Sequence, residues 1–230
     1  MEQTPVSPRF TGLLGFNAGY VDTAGFLALN GLFTAHVTGN FVTLGAAFVH
    51  GTTGAFAKLL ALPLFCAVVV LTRLFASGFA AADTAMSKLM CAKVLLLAAA
   101  GAVLIVYGPF PDSDAPVAVI GGMLLVAAMG IQNAIQRMHL GSAPPSTLMT
   151  GTTTQVMIDL ADLCKGVSGE ARTAAVGRLR KMLPALAAFA SGCAIAALLY
   201  WASLMWCFIL PPIVGALATL GIKRAPADPT

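Results

Sequence analysis

Six apolar runs, near residues 10–29, 57–80, 87–107, 116–138, 183–201 and 203–222, leave this chain few ways to fold. A helix that crosses the hydrocarbon core of a bilayer needs about 20 apolar residues, and each run reaches or approaches that length. Packing six such helices in water would demand a polar exterior. The chain has none to offer, because only 10% of its residues are charged, against roughly 25% in soluble domains. Lipid is therefore the expected solvent for its outer surface. A single membrane domain over residues 1–230 accounts for the length.

Two further segments, near 38–50 and 147–164, are shorter or more polar, and each begins with Thr-Gly. At about 1.5 Å per residue they do not cross as ordinary helices. The run 109–116, Pro-Phe-Pro-Asp-Ser-Asp-Ala-Pro, is a turn between spans.

The two halves echo each other. Gly19-Tyr-Val-Asp22 returns as Gly130-Ile-Gln-Asn133, Thr38-Gly39-Asn40 as Thr150-Gly151-Thr152, and Phe75-Ala-Ser-Gly78 as Phe189-Ala-Ser-Gly192. Three matches in one order at nearly one shift indicate duplication, with repeats over about 10–107 and 116–222.

Charge placement orients the chain. If the two short segments enter and leave on one side, Arg9, Lys88, Arg137, Lys165, Arg172, Arg178, Arg180, Lys181, Lys223 and Arg224 share a face. The opposite face keeps Lys58 with Asp112 and Asp114. That is a positive-inside pattern with both termini cytoplasmic, and fully crossing short segments would destroy it. The expected fold is all-α: about six transmembrane helices plus two short re-entrant half-helices, in two inverted repeats. Inverted repeats with half-helices recur in transporters, where helix ends build a solute site.

Asp22 is the sharpest single residue. It lies about twelve residues into the first span, roughly 18 Å along a helix, where a carboxylate needs a partner. It suits a solute or proton site, or a hydrogen-bonded carboxyl that pins one helix to another. Asn133 is its uncharged repeat mate. Thr38, Gly39 and Asn40, with Thr150, Gly151 and Thr152, read as helix starts whose side chains cap N–H groups or leave them for a ligand. Gln155 extends the polar run of the second short segment, and Gln132 and Asn17 are polar groups inside spans that join the same candidate network. Apart from Asn17, these residues form the expected solute-binding set. Asp159 and Asp162 share a helix face and suit pairing with Lys165 or Arg172, with the lining of a cytoplasmic vestibule as the alternative.

Other chemistries lack a pattern. Cys66, Cys91, Cys164, Cys193 and Cys207 have no paired spacing and read as small buried apolar groups. His36, His50 and His139 share no metal spacing, although His36 falls beside the candidate site. No HExxH, GxSxG, P-loop or dinucleotide signature occurs, so no enzyme, cofactor or metal is expected. The net charge of +4 sits between apolar runs and not on a polar face, which argues against nucleic acid. Residues 1–9 lead into an apolar run without a clear cleavage site, so a cleaved signal peptide is not expected. Gly15-Phe-Asn-Ala-Gly19 is a close-packing pattern that serves contacts within one chain as readily as those of a homo-oligomer.

At Gly19-Tyr-Val-Asp-Thr-Ala-Gly-Phe-Leu-Ala-Leu, Gly31-Leu-Phe and His36-Val-Thr-Gly-Asn-Phe, the sequence resembles the YoaK family of bacterial membrane proteins. Gly130-Ile-Gln-Asn-Ala and Met149-Thr-Gly-Thr are similar to that family's second-half pattern, so the likeness covers nearly the whole chain. The resemblance implies a multi-pass protein of the bacterial inner membrane and leaves its activity open. The expected partners are the bilayer and an unknown small solute. The expected function is a small-solute transporter or channel, with a membrane scaffold or accessory subunit as the rival.

Overall fold

The computed structural model describes residues 7–147 and 149–222, so the terminal charges Lys223 and Arg224 lie outside it. Among the described residues there are eight α-helices, one 3-10 segment and no strand. The helices are α1 (Pro8–Ala28), α2 (Gly39–His50), α3 (Ala55–Ser77), α4 (Ala82–Tyr107), α5 (Pro116–His139), α6 (Met149–Cys164), α7 (Gly169–Ser203) and α8 (Leu210–Ile222). The 3-10 segment Leu204–Ile209 joins α7 to α8.

Local chemistry explains the boundaries that matter. Ser7 starts α1: its hydroxyl accepts from the Phe10 N–H, and Pro8 supplies a ready-made first turn. Asn30 and Gly31 end it, with φ of 47° and 88°, a left-handed pair that reverses the chain. The acidic turn has a structural duty. Asp114 accepts from the N–H groups of Gly54, Phe56 and Ala57, so its carboxylate caps α3 where the helix dipole is positive.

The long helices run alternately between two ends. At the basic end, Phe10 and Leu14 of α1 pack with Ala76 of α3, Met86 of α4, Ile135 of α5 and Ala218 of α8. At the acidic end, the Lys58 ammonium donates to the Asn30 carbonyl at 2.7 Å, and Asp114 holds the start of α3. Helices α1 and α5 therefore start at opposite ends, and the second half of the bundle is inverted on the first. The packing obeys the same symmetry: α1 lies on α7 and α5 on α3, α8 on α1 and α4 on α5, and α2 on α3 and α6 on α7.

Each half contains an excursion that returns to the end it left. In the first, Asn30 donates to the Thr53 hydroxyl at 2.7 Å, tying together the two ends of a segment that dives inward and comes back as α2. In the second, the chain turns back beside α5 through residues 140–147 and returns along α7 as α6.

Four helical stretches are long and apolar enough to cross a membrane: α3, α4, α5 and the continuous run Gly169–Ile222. That run contains a corner, because Leu204 has φ of 49° and α8 turns back to pack on α1 and α4. Helix α5 is central, with 72% of its most apolar window buried, whereas α3 is peripheral with 17%. The periphery is oily: Phe41, Val70, Leu74, Trp201 and Leu217 are all more than half exposed. An exposed apolar periphery around an equally apolar core, with only a few buried polar groups, marks a membrane-like helical protein.

The tightest joint is α1 against α7. A Cβ added to Gly19 would lie 2.2 Å from the Phe189 carbonyl oxygen, and one added to Gly192 would lie 2.1 Å from that of Phe16. Two backbones thus touch with only hydrogen atoms between them, the use small residues serve between membrane helices. The Gly15–Gly19 pattern therefore packs within the chain. The Phe-Ala-Ser-Gly echo takes unequal positions, since Ser77 ends α3 while Gly192 sits mid-helix at this crossing.

Candidate functional site

Asp22 holds the first excursion in place. Its Oδ1 accepts from the N–H groups of Thr34 and Ala35 at 2.7 and 2.8 Å, and Thr34 Oγ1 lies 3.3 Å away. Its Oδ2 lies 2.6 Å from Nδ1 of His36, which donates in the tautomer this geometry requires. The buried carboxylate thus has the partners that low dielectric demands, all from residues 34–36. These bonds draw the tip of the excursion inward to the level of Asp22, six residues before the end of α1. The His36 ring completes the setting with edge contacts to Phe33 and to Phe189 of α7.

The second half repeats the device without charge. Thr147 donates to Oδ1 of Asn133 at 2.7 Å, and the Asn133 amide donates to the Met129 carbonyl. His36 follows Asp22 by 14 residues, and Thr147 follows Asn133 by the same interval. Beside it, Gln132 donates to Ser146 Oγ and to the Leu14 carbonyl, both at 3.0 Å, and its carbonyl accepts from the ammonium of Lys93. Lys93 is fully buried in α4, and among the described residues no carboxylate pairs with it.

The two tips converge on Asn133. A cavity of about 400 Å³ lies between the first tip and the facing surfaces of α3 and α5. Ala35, His36, Val37 and Thr38 form one wall, Phe65, Val69 and Arg73 another, and Asn133, Ala134, Arg137 and Met138 the third. Asn133 belongs to this wall while its side chain holds Thr147 of the second tip. Arg73 and Arg137 stand toward the basic end, where α3 and α5 finish.

The sequence-expected residues separate into four places. Thr38 and Asn133 line the cavity, and Asp22 supports its wall from behind. Gly39 and Asn40 serve the excursion itself: a Cβ on Gly39 would meet the Phe33 ring at 2.8 Å, and the Asn40 amide exchanges two hydrogen bonds with the Phe33 backbone. Gln132 belongs to the Lys93 cluster. Thr150 lines an open groove of about 690 Å³ on the outer side of α6, a Cβ added to Gly151 would face open space, and buried Thr152 has no hydrogen bond for its hydroxyl.

Gln155 donates to Asp159, whose carboxylate is gripped by Arg178 at 2.6 to 3.2 Å. The Arg178 guanidinium holds the Asp159 carboxyl below the usual carboxylate range. The base that pairs with Asp159 is thus Arg178 of α7, and not the expected Lys165 or Arg172. The first N–H groups of α2 are not open donors either. Those of Gly39, Asn40 and Phe41 bond to the carbonyls of His36, Val37 and Thr38. Asn17 joins neither network, since both atoms of its buried amide lack a hydrogen bond.

Two cavity groups and one core group escape a reading of motifs. Arg73 and Arg137 read as interfacial charges, and only packing shows that they face one space. Lys93 carried a signal of its own: a lysine deep inside the apolar run 87–107 falls under the rule that singled out Asp22.

Residues 10–221 match the family described as "Protein of unknown function (DUF1275)", and the chain belongs to that family. No curated protein and no solved structure matches it.

Proposed function

We propose that this member of the DUF1275 family is a small-solute transporter or channel of the bacterial inner membrane, with both termini cytoplasmic. The bilayer surrounds six crossing helices, α1, α3, α4, α5, α7 and α8, while α2 and α6 are the return limbs of re-entrant segments. The likeness to the YoaK family supports the location. The observation that carries the reading is the cavity at Asn133, where tips arriving from opposite ends of an inverted repeat meet. A cavity with a few polar groups at such a junction is where transporters of this construction bind solute. Thr38, His36 and Asn133 are its polar wall, and Asp22 sets the position of that wall.

Cysteine accessibility tests the topology, on a cysteine-free background in intact cells, scanning 34–44 and 146–156. The first segment should label from outside and the second from the cytoplasm, each fading toward its tip. Segments that cross completely, or that never label, sink the transporter reading. The Asp22→Asn variant should then lower flux with membrane insertion intact.

One observation favours a second reading, a non-transporting scaffold or accessory subunit. Both carboxylate oxygens of Asp22 are occupied by its own chain, as a purely structural carboxylate would be. Under that reading Asp22→Asn changes stability or partner capture and leaves flux where it was.

A further inference from the structure

We propose that a second cavity, at the basic end between α1 and α7, holds the phosphodiester headgroup of an anionic phospholipid. It measures about 320 Å³ and shares no lining residue with the space at Asn133. Three elements build it. The start of α1 contributes Thr11 and Gly12, and α7 contributes Arg180, Lys181 and Pro184. Pro184 lies four and three residues beyond the two cations, so all three share one face of α7. The turn after α5 closes the third side with Ser142 and Pro144.

The charge of the lining is one-sided. Arg180 and Lys181 border the space, and no aspartate or glutamate does. Among the described residues neither forms an ion pair, and the acid that α6 brings to α7, Asp159, is already gripped by Arg178. The start of α1 adds the positive end of its dipole, and Ser142 adds a hydroxyl. A planar guanidinium beside a point-charge ammonium suits a group that offers several oxygens around one centre, as a phosphate does.

Depth makes the source a lipid. The apolar run of α7 starts at Leu183, so Arg180 and Lys181 stand within one turn of the hydrocarbon boundary, at headgroup level. Leu183 is 45% exposed and offers an acyl chain its first contact. Free phosphate would satisfy the cations and leave Gly12, Pro144 and Pro184 uncovered, whereas the glycerol of a lipid covers them. A zwitterionic lipid would set its own ammonium against Arg180 and Lys181. Basic pockets between helices at the membrane surface select anionic lipids for these reasons. The inference needs a bilayer around the helices and is indifferent to whether the chain moves a solute.

The test uses full-length protein in an uncharged detergent, titrated with dioctanoyl phosphatidylglycerol, dioctanoyl phosphatidylcholine or inorganic phosphate. Thermal unfolding and native mass spectrometry read the binding. Phosphatidylglycerol should raise the unfolding temperature to a plateau, and the other two should leave it unchanged. Arg180→Gln combined with Lys181→Gln should weaken that lipid by roughly tenfold or more. Gly12→Leu tests the cavity independently of the charges. A Cβ added there has no neighbour within 4 Å, so the larger side chain enters open space and should also weaken the lipid. Lys165→Gln removes an exposed basic-end charge outside the cavity and should bind like the parent.

Equal protection by phosphatidylcholine overturns the inference, as does no response to phosphatidylglycerol. Protection by inorganic phosphate alone overturns it in favour of a soluble anion. A loss in Lys165→Gln as large as in the double variant, or no change in Gly12→Leu, overturns it in favour of diffuse attraction by the whole basic end.

Discussion

The two halves of the bundle solve one construction problem with different chemistry. Each sends a segment inward from its own end and fixes the tip to a polar residue on its first helix, 14 positions back. In the first half that residue is charged: Asp22 gathers two backbone N–H groups and the His36 ring. In the second it is neutral: Asn133 takes one hydroxyl, and the adjoining Gln132 reaches Ser146 and buried Lys93. The return helices differ as well, since α2 has 12 residues, whereas α6 has 16 and turns Thr150, Thr153 and Thr154 to an outer groove. The two halves follow a similar backbone path with different side chains. One tip became a cavity wall and the other a brace.

The sharpest way to break the comparison is at the helix crossings. A Cβ added to Gly19 would meet a backbone carbonyl of α7, while one added to its repeat mate Gly130 would meet the side chain of Val68 at 3.0 Å. Backbones cannot step aside without moving the helix, whereas a valine can. Gly19→Ala should therefore cost about 3 kcal/mol or more, and Gly130→Ala nearer 1 kcal/mol, as thermal unfolding in nanodiscs would show. Equal losses at the two sites would mean that the crossings are alike.

Exchanging the anchors comes next. Asn133→Asp places a second carboxylate where Thr147 is the donor, and it should cost about 2.5–3.5 kcal/mol on the scale for an acid at mid-membrane depth. Asp22→Asn keeps an acceptor for the Thr34 and Ala35 N–H groups and should cost only about 1 kcal/mol. A reversed order in unfolding temperature would show that charge is not what separates the halves.

The brace offers a smaller effect with a clear signature. Lys93→Met leaves the Gln132 carbonyl buried without its donor, a loss of about 1–3 kcal/mol. Adding Gln132→Met removes both partners and should recover part of that loss. Additive losses in a double-mutant cycle would show that the two side chains do not depend on each other.

The smallest effect belongs to Asp159 and Arg178. Arg178 holds the Asp159 carboxyl below its ordinary range, so the pair's contribution is present above the ordinary aspartate value. It is lost as the pH falls through the lower folded value. Asp159→Asn should lower the unfolding temperature slightly at neutral pH and not at strongly acidic pH. High salt should shrink the difference, because the Arg178 side chain is 44% exposed. A difference unchanged by salt and acid would assign the effect to packing.

Sequence alone determined the class of solvent, the helical runs and the two short segments. Each of these is written in local composition or in a short pattern, and apolar length and Pro-rich turns act the same way wherever they occur. Asp22 and Asn133 stood out for the same reason, because a polar group in an apolar run is a local conflict that needs an answer. Tertiary structure alone decided what that answer was. His36 for Asp22, Thr147 for Asn133, Lys93 for Gln132 and Arg178 for Asp159 were chosen by the path of the backbone. The facing of Arg73 toward Arg137 across one cavity depends on how α3 lies on α5. Lipid does not distinguish one apolar helix face from another, so helix placement rests on glycine contacts and polar pairs, and these exist only once the chain has packed.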